Sequence, residues 1–314
     1  MIEKNDHRIA STWKDYKLLL RNKRLNDQTK LLSNRTVLFV HGATYGSTDT
    51  FDYEISGKSW MDHLAAQGFD TWCLDLLGYG QSDRPKQMLE PAANNPPIVN
   101  TAHAAADVGQ AVSFILAQRA IDRVDLIGYS WGTAICGTYT GQHPESVSRL
   151  VLSGALWIEG LPPSSKPPAP LGAYRTVTET AMMERWATGL SNAEIDLIVS
   201  EAERLKWCTH TASCDPTFAD TKLLRAPTGV MQDFADCRET GQNWYDPSLI
   251  GAPVLIVVGD LDIETTPGQG QRLFSRLPKT TPKQLTVIGQ GTHSLLLENN
   301  RHQLHDVVSA FLTN

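Results

Sequence analysis

Apolar residues in this chain follow two rhythms. Short runs rich in Val, Ile and Leu recur at 36–40, 71–76, 124–129, 149–152, 254–258 and 284–288, and several are continuous instead of alternating. That is the pattern of strands covered on both faces, as in a parallel sheet. Between these runs, apolar positions recur every three to four residues: Ala104, Val108, Ala111 and Ile115 within 101–118, with similar stretches at 59–67, 131–142, 267–276 and 295–312. This is helix spacing. Strand and helix in alternation predict an α/β fold built on a doubly wound, mostly parallel sheet.

Two regions break the alternation. Ahead of Thr36, the run Tyr16-Lys17-Leu18-Leu19-Leu20 reads as part of an opening pair of strands, despite polar interruptions. From Ala155 to Ile250 the strand rhythm stops, and a proline-rich passage at 161–168 leads into helical patterns at 179–188 and 193–206. The expected organisation is a core of residues 1–155 and 251–314, with 156–250 inserted as a mainly helical cap. Met182, Met183, Trp186, Trp207, Phe218, Met231, Phe234, Trp244 and Tyr245 give this insertion more large apolar side chains than solvated helices need. Most should pack between helices, with roughly a third facing a substrate.

Chemistry enters at Gly128-Tyr129-Ser130-Trp131-Gly132, between the run at 124–129 and the helix pattern that follows. A serine on a tight strand-to-helix turn is held in a strained, exposed pose, and the residues two places either side must be small because backbones pass close there. Serine is a weak nucleophile at neutral pH, so it needs a base, and the base needs a carboxylate. His293, in Gly291-Thr292-His293-Ser294 after the run at 284–288, stands at the carboxyl end of a strand, where open α/β sheets place their sites. The other histidines lack that setting. His41 is expected to tie its own loop together.

Gly259-Asp260-Leu261-Asp262 follows the run at 254–258 and offers two acids, which composition and periodicity leave open. Asp262 is preferred, because Asp260, close to the strand, is placed to bind turn amides. Glu159 is a distant third. Oxyanion donors are expected from the N–H of Trp131 at the helix start and from the loop His41-Gly42-Ala43-Thr44-Tyr45, through Ala43 or, failing that, Thr44. Tyr45, Trp186 and Met183 are the candidate substrate contacts.

Composition then excludes other classes. With 28 basic and 34 acidic residues among 314, the net charge of −6 and the lack of a Lys/Arg block argue against a nucleic-acid surface. No apolar run reaches bilayer length, and Met1 to Asp6 has no signal-peptide character, so a soluble, cytoplasmic protein acting on small molecules is expected, with room for a homo-oligomer. The five cysteines have no regular spacing, and Cys73 and Cys136 fall in core elements as buried thiols. Cys208, His210 and Cys214 lack a paired Cys-x-x-Cys, so no metal is expected, and the sequon at Asn34 means little without a secretory route.

Taken together, His41-Gly42, Asp75-Leu76-Leu77-Gly78-Tyr79-Gly80-Gln81-Ser82, the Ser130 pentapeptide, Gly259 to Asp262 and Gly291-Thr292-His293 resemble the α/β-hydrolase superfamily over most of the chain. The resemblance implies a nucleophile, acid and base in the order Ser130, Asp262, His293, and its Gly-x-x-Asp spacing favours Asp262. It implies structural duty for Asp75 and Asp83. A serine nucleophile is unlike the aspartate of haloalkane dehalogenases and epoxide hydrolases, and Ala43-Thr44 replaces the Gly-Gly of many lipases. The expectation is a cofactor-free, carboxylesterase-like hydrolase of a small, apolar acyl substrate. The same groups would serve an amidase or aminopeptidase, a lactonase, a thioesterase, a carbon-carbon bond hydrolase, or a receptor that keeps the fold.

Overall fold

The computed structural model describes residues 1–27, 35–161 and 170–313. The Asn34 sequon and most of the proline-rich passage lie outside the described residues. Ten strands are described: β1 (Ile2–Ala10), β2 (Lys17–Leu25), β3 (Thr36–Val40), β4 (Asp70–Asp75), β5 (Val124–Tyr129), β6 (Val147–Ser153), β7 (Tyr174–Val177), β8 (Leu224–Pro227), β9 (Val254–Gly259) and β10 (Lys283–Ile288). Eight of them form one sheet in the order β1-β2-β4-β3-β5-β6-β9-β10. β1 and β2 are the antiparallel opening pair, β2 also meets β4 antiparallel, and every pairing from β4 to β10 is parallel. The central strands β3, β4, β5 and β9 are buried at every position, which is why their sequences are apolar at most positions, with Asp70, Asp75 and Asp125 among the exceptions.

The helices are α1 (Ser47–Thr50), α2 (Trp60–Ala66), α3 (Thr101–Arg119), α4 (Trp131–Gln142), α5 (Glu179–Trp186), α6 (Asn192–Ile198), α7 (Glu201–Ser213), α8 (Phe218–Thr221), α9 (Gly229–Thr240), α10 (Pro267–Arg276) and α11 (Arg301–Thr313). Two apolar clusters fill the faces of the sheet. One includes α3, α4 and Leu273 of α10; the other includes α2, α11 and the inner faces of α5, α6 and α7.

Two expectations need correction. The single helix expected at 193–206 is α6 and α7, because Val199 is extended and Ser200 starts a new helix by accepting from the Glu203 N–H at 3.3 Å. The helix expected from Leu295 is a short 3₁₀ turn at Leu295–Leu297, interrupted by extended Glu298 before α11. Beside the helices α5 to α9, the insertion holds one strand pair not expected from the sequence: β7 and β8 pair antiparallel, from Tyr174 opposite Pro227 to Val177 opposite Leu224. At four residues each, their alternation is too short to stand out in sequence. No helix among the described residues is long and apolar enough to cross a membrane.

Candidate active site

The carboxyl ends of β3, β5 and β9, with the loop after β10, deliver the predicted residues to one place. Ser130 stands between β5 and α4 with φ 54° and ψ −122°, a strained conformation for a residue with a side chain. A Cβ on Gly128 would come within 2.4 Å of the Gly132 carbonyl oxygen, and one on Gly132 within 2.2 Å of the Val40 oxygen. The turn therefore closes only with glycine at both positions.

His293 Nε2 lies 2.9 Å from Ser130 Oγ, and His293 Nδ1 lies 2.9 Å from Asp262 Oδ2. The carboxylate is well held. Asp262 Oδ1 accepts from the N–H groups of Glu264 and Thr265 at 2.9 and 2.8 Å, while the Thr265 hydroxyl donates to Oδ2 at 2.7 Å. Burial works against the Asp262 charge, but His293 and the Thr265 bonds outweigh it and hold the carboxyl below its ordinary value. Burial likewise disfavours a charged His293 ring; Asp262 and then Glu264 overcome this, and the imidazole sits above its ordinary value. Tyr129 Oη donates to the His293 carbonyl at 2.8 Å and anchors the loop.

Asp260 is exposed and accepts from the Gly291 N–H at 3.2 Å, a turn-binding role. Glu159 pairs with Arg276 at 2.6 Å, away from the site. His41 is fully buried. The Leu76 N–H can only donate, so His41 Nε2 accepts it at 3.1 Å and the proton sits on Nδ1, donating to the Gly42 carbonyl at 2.7 Å. Burial pushes this ring down to about 4, so it is a neutral brace. Asp75 binds the Thr48 N–H and the Gln81 N–H at 3.0 and 2.8 Å, and Asp83 pairs with Arg8.

A Cβ on Gly42 would meet Ser130 Cβ at 3.0 Å, so the loop after β3 lies against the serine. Ala43, Ser130 and Trp131 line one cavity of about 490 Å³, together with Leu156, Val177, Val230, Met231 and Phe234. A tighter cleft shares Ala43, Thr44, Ser130, Arg185 and Glu264 with it and is walled by Tyr45, Met182, Trp186, Trp207 and His293. Of the three candidate substrate contacts, Tyr45 and Trp186 line this cleft, whereas at α5 Met182 lines it and Met183 packs beside it, one helical position being a rotation of about 100°. The Trp131 side chain is sealed in the core with Nε1 donating to Thr101 Oγ1 at 2.9 Å. Of the nine large insertion side chains, five line the two cavities (Met182, Trp186, Trp207, Met231 and Phe234), more than the expected third.

Sequence reasoning missed three charged residues. Arg185 Nε donates to Glu264 Oε1 at 2.7 Å and Nη1 to Thr44 Oγ1 at 3.1 Å. Arg175, on β7, donates to the Ala43 carbonyl at 3.0 Å and to Thr44 Oγ1 at 2.6 Å. Neither arginine carries a motif, and only folding of the insertion over the sheet brings them here. Glu264, two places beyond Asp262, lies 3.8 Å from His293 Nε2.

Of the residues weighed as metal ligands, Cys208 is buried in the core beneath the insertion, apart from the other two. His210 and Cys214 instead face Asp49, and the three ligand-type atoms lie within 4.8 Å of one another. Cys214 Sγ donates to Asp49 Oδ1 at 3.1 Å, with His210 Nε2 at 3.4 Å from the same oxygen. Burial raises both the Asp49 carboxyl and the Cys214 thiol, in keeping with the thiol donating to Asp49. The group joins α7 to α1. All five cysteines are free.

A family model described as alpha/beta hydrolase fold matches residues 35–300, and the chain belongs to that family. Among solved structures, it is similar to a serine hydrolase involved in carbazole degradation (16% identity, 99% of each chain covered, TM-score 0.66). It is similar also to a serine hydrolase of Cycloclasticus zankles (16%, 99% and 98% covered, TM-score 0.63) and to the 2-hydroxy-6-oxo-6-phenylhexa-2,4-dienoate hydrolase of Rhodococcus sp. strain RHA1 (18%, 99% of each, TM-score 0.59). At these identities the likeness is one of fold. An uncharacterized protein of Mycobacterium tuberculosis is 29% identical over 125 residues, a match that spans 39% of this chain and 30% of that protein.

Proposed function

We propose that this chain is a serine hydrolase that cleaves a carboxylic ester or related acyl bond of a small substrate, with the insertion acting as a cap over the site. One observation carries the reading: Ser130, His293 and Asp262 form a continuous hydrogen-bonded chain, and Ser130 opens onto a cavity of about 490 Å³. Ser130 Oγ attacks the acyl carbon while His293 Nε2 takes its proton. The carbonyl π electrons move onto oxygen, and that oxyanion is received by the N–H of Trp131, helped by the start of α4, and by the N–H of Ala43. Collapse of the tetrahedral species expels the leaving group, which takes the proton from His293. Water, deprotonated by the same imidazole, then releases the acid and restores Ser130.

The apolar wall of Leu156, Val177, Val230, Met231 and Phe234 suits the acyl or leaving-group carbon chain. Steady turnover of p-nitrophenyl butyrate by the wild type, lost in Ser130→Ala, is the expected result. A fluorophosphonate probe should label Ser130 in the same experiment. Binding with no turnover of any acyl substrate would favour a receptor and overturn the assignment.

A further inference from the structure

We infer that the substrate carries a carboxylate on its acyl portion and that Arg175 binds it; this rests on the hydrolase reading and specifies its substrate. The charged residues lining the larger cavity are Arg175, Arg185 and Glu264. Glu264 is taken, because two nitrogens of Arg185 grip its two oxygens. His293 is likewise matched by Asp262. That leaves Arg175 with no carboxylate within ion-pair distance among the described residues.

All three acceptors of Arg175 are neutral: the Ala43 carbonyl, the Thr44 hydroxyl and, at 3.3 Å, the Pro227 carbonyl. A guanidinium has five N–H donors, so two remain unclaimed. A half-buried cation with neutral partners beside a cavity is costly, and one singly charged carboxylate offsets that cost with a charge-assisted bond to a free N–H. The position is informative too. Arg175 touches the carbonyl of Ala43, whose N–H is the proposed oxyanion donor, so the carboxylate lies only a few carbons from the reacting carbonyl. Monoesters or monothioesters of short diacids meet that requirement, with the apolar wall left for the rest of the molecule.

The test compares mono-p-nitrophenyl succinate, glutarate and adipate with p-nitrophenyl valerate, a neutral ester of the same length as the glutarate. Wild type should prefer the best anionic ester by about 10- to 100-fold in kcat/KM, the range of one charged hydrogen-bonded contact. Arg175→Gln should abolish the preference, mainly through KM, and Arg175→Lys should restore part of it. Free glutarate, but not pentane-1,5-diol, should inhibit wild type competitively, which tests the site even if the glutamine variant folds poorly. If Arg175→Gln slows anionic and neutral esters equally, Arg175 merely props the loop and the inference is overturned. Inhibition by propyl phosphate without inhibition by glutarate would also overturn it, in favour of a phosphoester. Failure of the hydrolase reading looks different: neither ester would depend on Ser130.

Discussion

The sheet core and the insertion are built by different means. At the carboxyl ends of β3, β5 and β9 the backbone does most of the positioning: glycines at 128 and 132 allow strand, turn and helix to touch, and Asp262 is fixed by amides of its own loop. The insertion instead sets helices around the β7–β8 pair, and α5, α6 and α7 are opened by side-chain caps at Thr178, Ser191 and Ser200. It meets the core through side chains, with Arg185 to Glu264, Trp186 Nε1 to Glu298 at 3.1 Å and Trp207 Nε1 to the Asp49 carbonyl at 2.9 Å, and through a few backbone bonds such as the Gly229 N–H to the Ile98 carbonyl at 2.8 Å. On the proposed function, reactivity is set mainly by backbone geometry in the core, and selection by side chains of the insertion.

Substitutions should separate the two regions. In the core, Ser130→Ala is expected to lower kcat by about 10⁴-fold or more, with KM for an apolar ester little changed. Asp262→Asn should cost about 10⁴-fold through loss of imidazole orientation, while Asp260→Asn should leave the rate near wild type. Reversal of that pair in steady-state assays would transfer the acid role to Asp260. Next in size is a backbone effect. Gly132→Ala places a Cβ against the Val40 oxygen and should destabilise by about 1–3 kcal/mol in denaturant unfolding, whereas Gly251→Ala, with nothing within 4 Å of its Cβ, should be nearly silent.

A smaller effect lies on the seam between the regions. Because the His293 imidazole is held above its ordinary value, activity should fall as pH drops through a midpoint above about 6.5. Glu264 contributes to that rise, so Glu264→Gln should move the acid limb of kcat/KM downward by a fraction of a unit and leave the plateau within about 10-fold. An unmoved limb would remove Glu264 from the electrostatics of the base.

The gentlest test is of stability. Burial pushes His41 down to about 4 and His305, stacked on Trp60, down to about 3, so both stay neutral in the folded chain at pH values where the unfolded chain binds protons. Folding stability should therefore decline as pH falls below about 6.5, and each such histidine adds up to about 1.4 kcal/mol per pH unit to the slope. Urea titrations should show a shallower decline for His305→Gln than for wild type, measured relative to the neutral-pH value of each.

The core was legible because its signals are local. A strand buried on both faces must be apolar at each step, as in Val124-Asp125-Leu126-Ile127, and even the exception there is instructive. Asp125 is fully buried with Arg149 at 3.6 Å, and burial pushes its carboxyl up to about 8. Gly128 likewise reports a contact within a few residues, with Gly132, although Gly132 in turn abuts the distant Val40. The insertion hid its plan because amphipathic helices need only a rough apolar face, so one register serves as well as its neighbour; hence Met182 and not Met183 at the cleft.

Sequence by itself determined the alternation of strand and helix, the strained serine turn and the residue types able to activate it, since each follows from backbone sterics or burial over a short span. Only the tertiary structure decided which acid reaches His293, which insertion side chains face the cavity, and that Arg175 stands there without a counter-charge among the described residues. Those are relations between residues far apart in the chain, and their geometry exists only once the insertion is folded against the carboxyl ends of the sheet.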